Sequence, residues 1–533
     1  MFSRLYSYIT LIMLTGVSIL APAFAQSGPA QCNAMKNFFW PHTVIARIIW
    51  QPAGTVRNFS QMNPHLTYDL PAHCVIDGSV DSYHDLGGRS FGVGFELRLP
   101  EDWNGKFFFQ GGGGLDGAVM PAYGEDNVAK PALARGYAVV SMDGGHEGMD
   151  ASFAASQQAR LDYAYQAIGK ATDVAKAAIL EFYKRPLQYS YFVGCSNGGR
   201  EGMIAAERYP LEFQGIVAGD PGFRLSHAAV AEAWNDRALA SIAPKMGDGS
   251  PDIAASFSDA DLKLVSDSIV AQCDKLDGLA DGIVNNQAAC HFTPQSLLCR
   301  AGQNAQCLSQ AKINVLETIM SGAHDSKGHA LYSGFPYDAG IGSPGWRVWM
   351  LGIEGKFPAI NATMGAQSLS RYFMTPPEPG RNPFVFDFDT AIRNTAQTAA
   401  INDADSTMLS SFSAQGGKLI LYQGASDPVF SALDIEAWYD HLHAADHDSA
   451  AYARLFLVPG MNHCGGGPST DQFDPLIALE NWVEQHKVPT RIIATGTSFK
   501  GETRPLCVYP AYAHYAGGDP TQASSFQCAT VNK

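Results

Sequence analysis

The chain has 533 residues, of which 46% are hydrophobic and 16% charged, and its formal net charge is −15. An acidic chain of this kind has no basic surface with which to displace phosphate counterions or settle on an anionic bilayer, so nucleic acid and membrane are set aside as partners. The length exceeds what one ordinary core needs and leaves room for a large inserted segment.

In chain order, the first element is a leader. Arg4 supplies a positive start, residues 8–20 are mostly apolar, and Ala23-Phe24-Ala25 forms a small-x-small cleavage site. Residues 1–25 are therefore expected to be a signal peptide, with the mature protein secreted or periplasmic. An uncleaved anchor is the alternative, but the apolar run is short and interrupted by Thr and Ser, and no later stretch reaches spanning length. The ten cysteines all lie beyond the leader. An oxidising compartment makes them a disulfide framework. Local spacing suggests the pairs Cys32–Cys74, Cys273–Cys290, Cys299–Cys307 and Cys507–Cys528, which leaves Cys195 and Cys464. Spacing alone does not fix connectivity. A free Cys195 packed behind its neighbours is the alternative to a Cys195–Cys464 bridge. The bridge is favoured because an exposed thiol there would be open to oxidation.

Residues 91–99, 106–109 and 137–142 read as strands, 159–183 as a long helix, 189–193 as a buried strand, 199–208 as a helix and 215–219 as a strand. The rhythm resumes near the C-terminus with apolar runs at 418–422 and 453–458, which read as buried parallel strands. The pattern is α/β, doubly wound and mostly parallel, built from 26–222 and 406–533. Residues 223–405 break it. They carry four cysteines, many Gly and Pro and no strand–helix alternation, and are expected to form an inserted lid domain.

The strand at 189–193 runs into Gly194-Cys195-Ser196-Asn197-Gly198 and then into a helix. A G-x-S-x-G pentapeptide between strand and helix is the context of a nucleophile elbow, in which small flanking residues permit a tight turn. A serine needs a base and an acid to orient that base. Asp427 and His463 each follow a late strand, in the order Ser, acid, His expected of an α/β-hydrolase fold. A turn-forming role before Pro428 is the plainer account of Asp427. Among the rivals, Asp220 comes one strand too early, and His441, His443 and His447 fall in a polar helix-and-turn region. One oxyanion donor should be the N–H of Asn197, and the other should come from the glycine run 110–114. That run lacks the Lys-Ser/Thr ending of a phosphate loop. Within 273–283, Asp274, Asp277 and Asp281 crowd one short loop. Carboxylates so close call for a hard cation, expected to be Ca²⁺, with the carbonyls of Leu279 and Ile283 completing an all-oxygen shell. A solvated acidic turn is the alternative.

Cys195-Ser196, Asp427 and His463-Cys464, with the segments 194–203, 273–284, 375–379 and 453–464, resemble the tannase/feruloyl esterase family over essentially the whole mature chain. The resemblance implies an α/β-hydrolase fold with a calcium-bearing lid and a Cys195–Cys464 bridge joining nucleophile and base. It also implies oxyanion donors at Gly114 and Asn197, and Trp349 and Phe430 packing the substrate ring. The implied activity is hydrolysis of small aromatic esters of hydroxycinnamate, gallate or terephthalate type, through an acyl-enzyme and without an organic cofactor. One departure stands out. Members that cleave mono(2-hydroxyethyl) terephthalate hold its carboxylate with a lid arginine. Ile360 stands at that place here, with Met364 where a phenylalanine is expected and Lys356 or Arg371 as possible substitutes. Two further readings follow: an esterase of plant phenolic esters with little activity on the terephthalate monoester, and an inactive calcium-binding surface protein on a hydrolase fold.

Overall fold

A computed structural model describes residues 28–57, 67–125, 130–303, 305–380, 382 and 384–530. The expected leader, residues 1–25, lies outside them. The centre of the molecule is a nine-stranded sheet. Its strands are β1 (Thr43–Gln51), β2 (His73–His84), β3 (Ser90–Pro100), β4 (Lys106–Gln110), β5 (Ala138–Met142), β6 (Tyr189–Cys195), β7 (Gly215–Gly219), β8 (Lys418–Gly424) and β9 (Ala453–Val458). The spatial order is β1-β2-β3-β5-β4-β6-β7-β8-β9. From β5 to β9 every neighbour is parallel, while β1, β2, β3 and β5 pair antiparallel.

The main helices are α1 (Ala167–Tyr183), α2 (Asn197–Arg208), α3 (Leu225–Ala240), α4 (Asp259–Cys273), α5 (Gln310–Met320), α6 (Phe388–Asn402), α7 (Ala432–Ala445) and α8 (Pro475–Gln485). Every predicted strand is present within two residues of its expected ends. The antiparallel strands β1 and β2 had no signal of comparable strength, because β1 buries little of its surface. The helix expected over 159–183 runs from Gln157 but passes through a π turn at Asp162–Gln166. At its start Asp162 is contacted by Lys170 and Gln158 at 2.8 and 3.1 Å. π turns inside helices gather at functional sites, and this one directs Tyr163 toward the glycine run.

Why the sheet holds is visible in Phe107-Phe108-Phe109, all fully buried. Side chains of a strand alternate between faces. Phe107 and Phe109 join Phe192, Ile216 and Leu421 beneath α1, α2 and α7. Phe108 joins Tyr191, Val217 and Ile420 on the other face, against Leu479 and Trp482 of α8. Burying each ring contributes about 2–3 kcal/mol. The middle of the chain has its own apolar cluster, with Val230 of α3, Leu262 and Ile269 of α4, Ile313 and Ile319 of α5, and Tyr372. This cluster reaches Leu115, Phe153 and Tyr163 before it and Phe430 after it. It therefore closes over the ends of the parallel strands. α4 opens on a capping box between Ser258 and Asp261, which satisfies two N–H groups that a helix start leaves free.

The ten cysteines form the five disulfides Cys32–Cys74, Cys195–Cys464, Cys273–Cys290, Cys299–Cys307 and Cys507–Cys528. Among the described residues no helix is long and apolar enough to cross a membrane.

Candidate active site

Ser196 stands between the end of β6 and the start of α2 with φ 65° and ψ −124°. A non-glycine residue in that region carries about 1–3 kcal/mol of strain, so the surroundings must enforce it. They do so through backbone bonds: Ser196 N–H donates to Gly219 O at 3.0 Å, and Ser196 O accepts from Arg200 and Gly222 at 3.0 and 3.2 Å. The two motif glycines are required by close approach. A Cβ on Gly194 would come within 2.6 Å of the Gly198 carbonyl carbon, and one on Gly198 within 2.6 Å of Gly112 O.

His463 Nε2 lies 2.8 Å from Ser196 Oγ, and His463 Nδ1 lies 2.8 Å from Asp427 Oδ2. The remaining capacity of the Asp427 carboxylate is filled. Oδ1 accepts the N–H groups of Val429 and Phe430 at 2.7 and 3.1 Å, and Oδ2 accepts Gln423 Nε2 at 3.0 Å. The turn-forming and histidine-orienting roles of Asp427 are thus filled by the same carboxylate. Burial draws the His463 pKa down. The charge and hydrogen bond of Asp427, with Asp220 behind them, more than offset this and leave it above the ordinary imidazole value. His441, His443 and His447 are exposed.

Two buried carboxyls that sequence reasoning did not use hold the loops in place. Asp220 Oδ1 accepts the N–H of Gly424 at 2.6 Å and Oδ2 that of Cys464 at 2.7 Å. Burial, then the charge of Asp427, pushes Asp220 up to about 8. Asp338 Oδ2 accepts Gly460 N–H at 2.7 Å and Ser426 Oγ at 2.6 Å. Nothing in the local sequence marks Asp338. For Asp220 the signal was its place after β7, beside the elbow.

The loop after β4 runs beside the elbow. Gly114 has φ +58°, a conformation that favours glycine. Neither its N–H nor that of Asn197 has a hydrogen-bond partner among the described residues. The Tyr163 hydroxyl lies 3.1 Å from Gly114 O and 3.4 Å from Asn197 Oδ1. Asn197 is further held by Asp116 at 2.5 Å, Glu201 at 3.2 Å and Arg200 at 2.7 Å. Burial and the neighbouring Glu201 keep Asp116 well above the usual carboxylate range, and burial raises Glu201 too. Two free N–H groups on rigid supports beside a serine hydroxyl can stabilise a developing oxyanion.

Trp349 and Phe430 flank His463, with ring centroids 4.9 and 5.3 Å from the imidazole and both edge-on. Trp349 comes from the helix Pro344–Met350, capped by Ser343, whose hydroxyl also bonds Asn462 beside the histidine. Met364 reaches over Gly114, its Cε 3.2 Å from where a Cβ there would stand. Ile360 is partly buried one turn earlier, while Lys356 and Arg371 are exposed. Arg371 lies near Asp150.

In the acidic loop, Asp274 accepts the N–H groups of Asp281 and Gly282 at 3.2 and 3.0 Å. Asp277 accepts Asn285 Nδ2 at 2.8 Å, and Asp281 pairs with Arg504 at 2.6 Å. Among the described residues, these three carboxylates do not all approach within 4.8 Å of one another. Their donor chemistry, all oxygen, suits a hard cation.

A mostly parallel sheet with a serine on a strained strand-to-helix turn, and an acid and a histidine on the loops after its last two strands, defines an α/β-hydrolase. The family model for tannase and feruloyl esterase matches residues 79–529. The chain is 39% identical to mono(2-hydroxyethyl) terephthalate hydrolase of Piscinibacter sakaiensis, over 94% of this chain and 92% of that protein. It is 30% identical to a probable feruloyl esterase of Arthroderma benhamiae, over 98% of each. The crystal structure of feruloyl esterase B from Aspergillus oryzae superposes with a TM-score of 0.80 at 25% identity, covering 94% of this chain and all of that one. The chain belongs to the tannase and feruloyl esterase family. It is a carboxylic ester hydrolase, which sets aside the reading as an inactive calcium-binding protein.

Proposed function

We propose that this protein is a serine esterase that cleaves aromatic esters through an acyl-enzyme. The observation that carries the reading is the continuous line from Ser196 Oγ through His463 to Asp427, at 2.8 Å and 2.8 Å, between the rings of Trp349 and Phe430. His463 takes the serine proton as Oγ attacks the ester carbonyl, and Asp427 holds the imidazole in the tautomer that can accept it. The N–H groups of Gly114 and Asn197 receive the oxyanion. His463 returns the proton to the departing alcohol, then activates water to release the aromatic acid. The two rings and Met364 offer an apolar slot for the acyl group.

Hydroxycinnamate, gallate and terephthalate esters are the candidate substrates, by likeness to the relatives. A specific observation favours the plant phenolic esters: Ile360 is apolar, and the nearby Lys356 and Arg371 are both exposed. The segment 223–405 acts in this reading as a lid. A calcium ion held by Asp274, Asp277, Asp281 and the carbonyls of Leu279 and Ile283 would brace it without entering the chemistry, and no organic cofactor takes part. Purified enzyme offered methyl ferulate, methyl gallate and mono(2-hydroxyethyl) terephthalate tests the proposal. Turnover of at least one, abolished in Ser196→Ala, is expected. No turnover of any, or turnover that survives Ser196→Ala, overturns it.

A further inference from the structure

Asp427 and His463 sit on separate loops, one after β8 and one after β9. The residue before each is a buried polar one, Ser426 and Asn462. Both bond to a third segment, Asp338–Ser343, which comes from the helical middle of the chain. Asp338 Oδ2 accepts the Ser426 hydroxyl at 2.6 Å and the N–H of Gly460 at 2.7 Å, one bond to each loop. The N–H of Gly340 donates to the same hydroxyl at 2.9 Å. Asn462 Nδ2 donates to Gly340 O at 3.3 Å and to Ser426 O at 3.2 Å, and Asn462 Oδ1 accepts the Ser343 hydroxyl.

The fit leaves no room for a side chain at position 340. A Cβ there would stand 2.5 Å from Ser426 Oγ and 2.6 Å from Gly460 O, so it would press on both loops at once. On its other side the segment is fastened to α4, where the Ser266 hydroxyl donates to Ala339 O at 2.6 Å. It then runs into the helix Pro344–Met350, whose Trp349 ring stands edge-on to His463. Asp338, Ser426 and Asn462 are all at most 4% exposed. A partner lost here leaves the others buried and unpaired rather than handed to bulk water.

We propose that Asp338, Gly340 and Ser343 are positioning residues for the reaction: through Ser426 and Asn462 they set the Asp427 loop and the His463 loop in register. This rests on the serine-esterase reading above and deepens it. None of the three lies on the line from Ser196 Oγ through His463 to Asp427; each acts through the residue that precedes the acid or the base, or through the root of the histidine loop. The bonds require an acceptor at Asp338 rather than a charge, since two donors meet one oxygen. An amide oxygen in the same place can accept both, so positioning and charge are separable by substitution.

The test compares Asp338→Ala with Asp338→Asn on the ester that the wild-type enzyme turns over best. It reads kcat, KM, the acid-side midpoint of kcat/KM, and the low-field proton resonance of the His463–Asp427 hydrogen bond. In Asp338→Ala, kcat should fall about 10- to 100-fold with little change in KM. The midpoint should move toward about 6.5, and the resonance should shift upfield or vanish. Asp338→Asn should recover most of each. Ser426→Ala, which removes one hydroxyl, should show the same changes in weaker form and takes the place of Asp338→Ala should that variant fail to fold. A role confined to stability would lower the unfolding temperature and leave midpoint and resonance where they were. That result, or Asp338→Asn no better than Asp338→Ala, overturns the proposal. If the wild-type enzyme cleaves no ester of the panel, the esterase reading itself has failed, and the resonance alone decides whether the segment aligns the pair.

Discussion

Asp220 Oδ2 accepts the backbone N–H of Cys464 at 2.7 Å, one residue beyond the imidazole that faces Ser196. Its other oxygen accepts Gly424, at the root of the loop that carries Asp427. One buried carboxyl thus spans the loops that carry Asp427 and His463. Asp220→Ala leaves two buried N–H groups unpaired, at about 1–3 kcal/mol each. A lower midpoint in urea unfolding and a reduced kcat with little change in KM are expected. An unchanged kcat in a folded variant would remove Asp220 from the positioning apparatus.

Asp427→Asn keeps the shape of the turn but offers His463 the wrong hydrogen-bond partner. Loss of kcat by about 10⁴ is expected, measured with whichever aromatic ester the wild-type enzyme turns over best. Combining it with Ser196→Ala should cost little more than Ser196→Ala alone, because residues that act as a unit are not additive.

The pH profile follows from the sign of the His463 shift. The imidazole must be neutral to accept the serine proton, and its pKa stands above the ordinary value of about 6.5. kcat/KM should therefore fall as pH is lowered through a midpoint above 6.5. A midpoint well below that value would mean that Asp427 does not hold the imidazolium.

Calcium should act on stability. Excess Ca²⁺ at 100 times its dissociation constant adds about 2.7 kcal/mol to a fold that binds one ion. Addition of EDTA should lower the unfolding temperature, Ca²⁺ should restore it, and Asp277→Asn should abolish the difference. A melting curve indifferent to both would leave the loop a solvated turn.

Joint replacement of Cys195 and Cys464 by serine opens a loop of 269 residues. A stability loss of about 2–5 kcal/mol is expected, together with a fall in kcat as the Ser196–His463 distance loosens. Denaturant titration and steady-state kinetics on one preparation separate the two effects.

The strand ends that carry Ser196, Asp427 and His463 were legible because each lies at a change of local rule: an apolar run stops and glycine or proline begins. β7 and β9 match their expected ranges, 215–219 and 453–458, for the same reason. Asp338, Glu232 and Asn361 were not legible. Each belongs to the helical middle of the chain, where a side chain's role is set by which loop folds against it. Glu232 reads locally as an ordinary helix residue, and only the fold brings Gly365 against its carboxyl. β1 escaped notice for a related reason, since an edge strand with one open face has a weak apolar signature.

The bond between Cys195 and Cys464 has a topological consequence. Helices α3 to α6 all lie between those two residues in the chain, so that stretch is a ring rather than a line. A protease that cuts once on an exposed turn of this ring does not divide the molecule. The piece bearing Ser196 and the piece bearing His463 remain one covalent body, and they part only when the sulfurs are reduced.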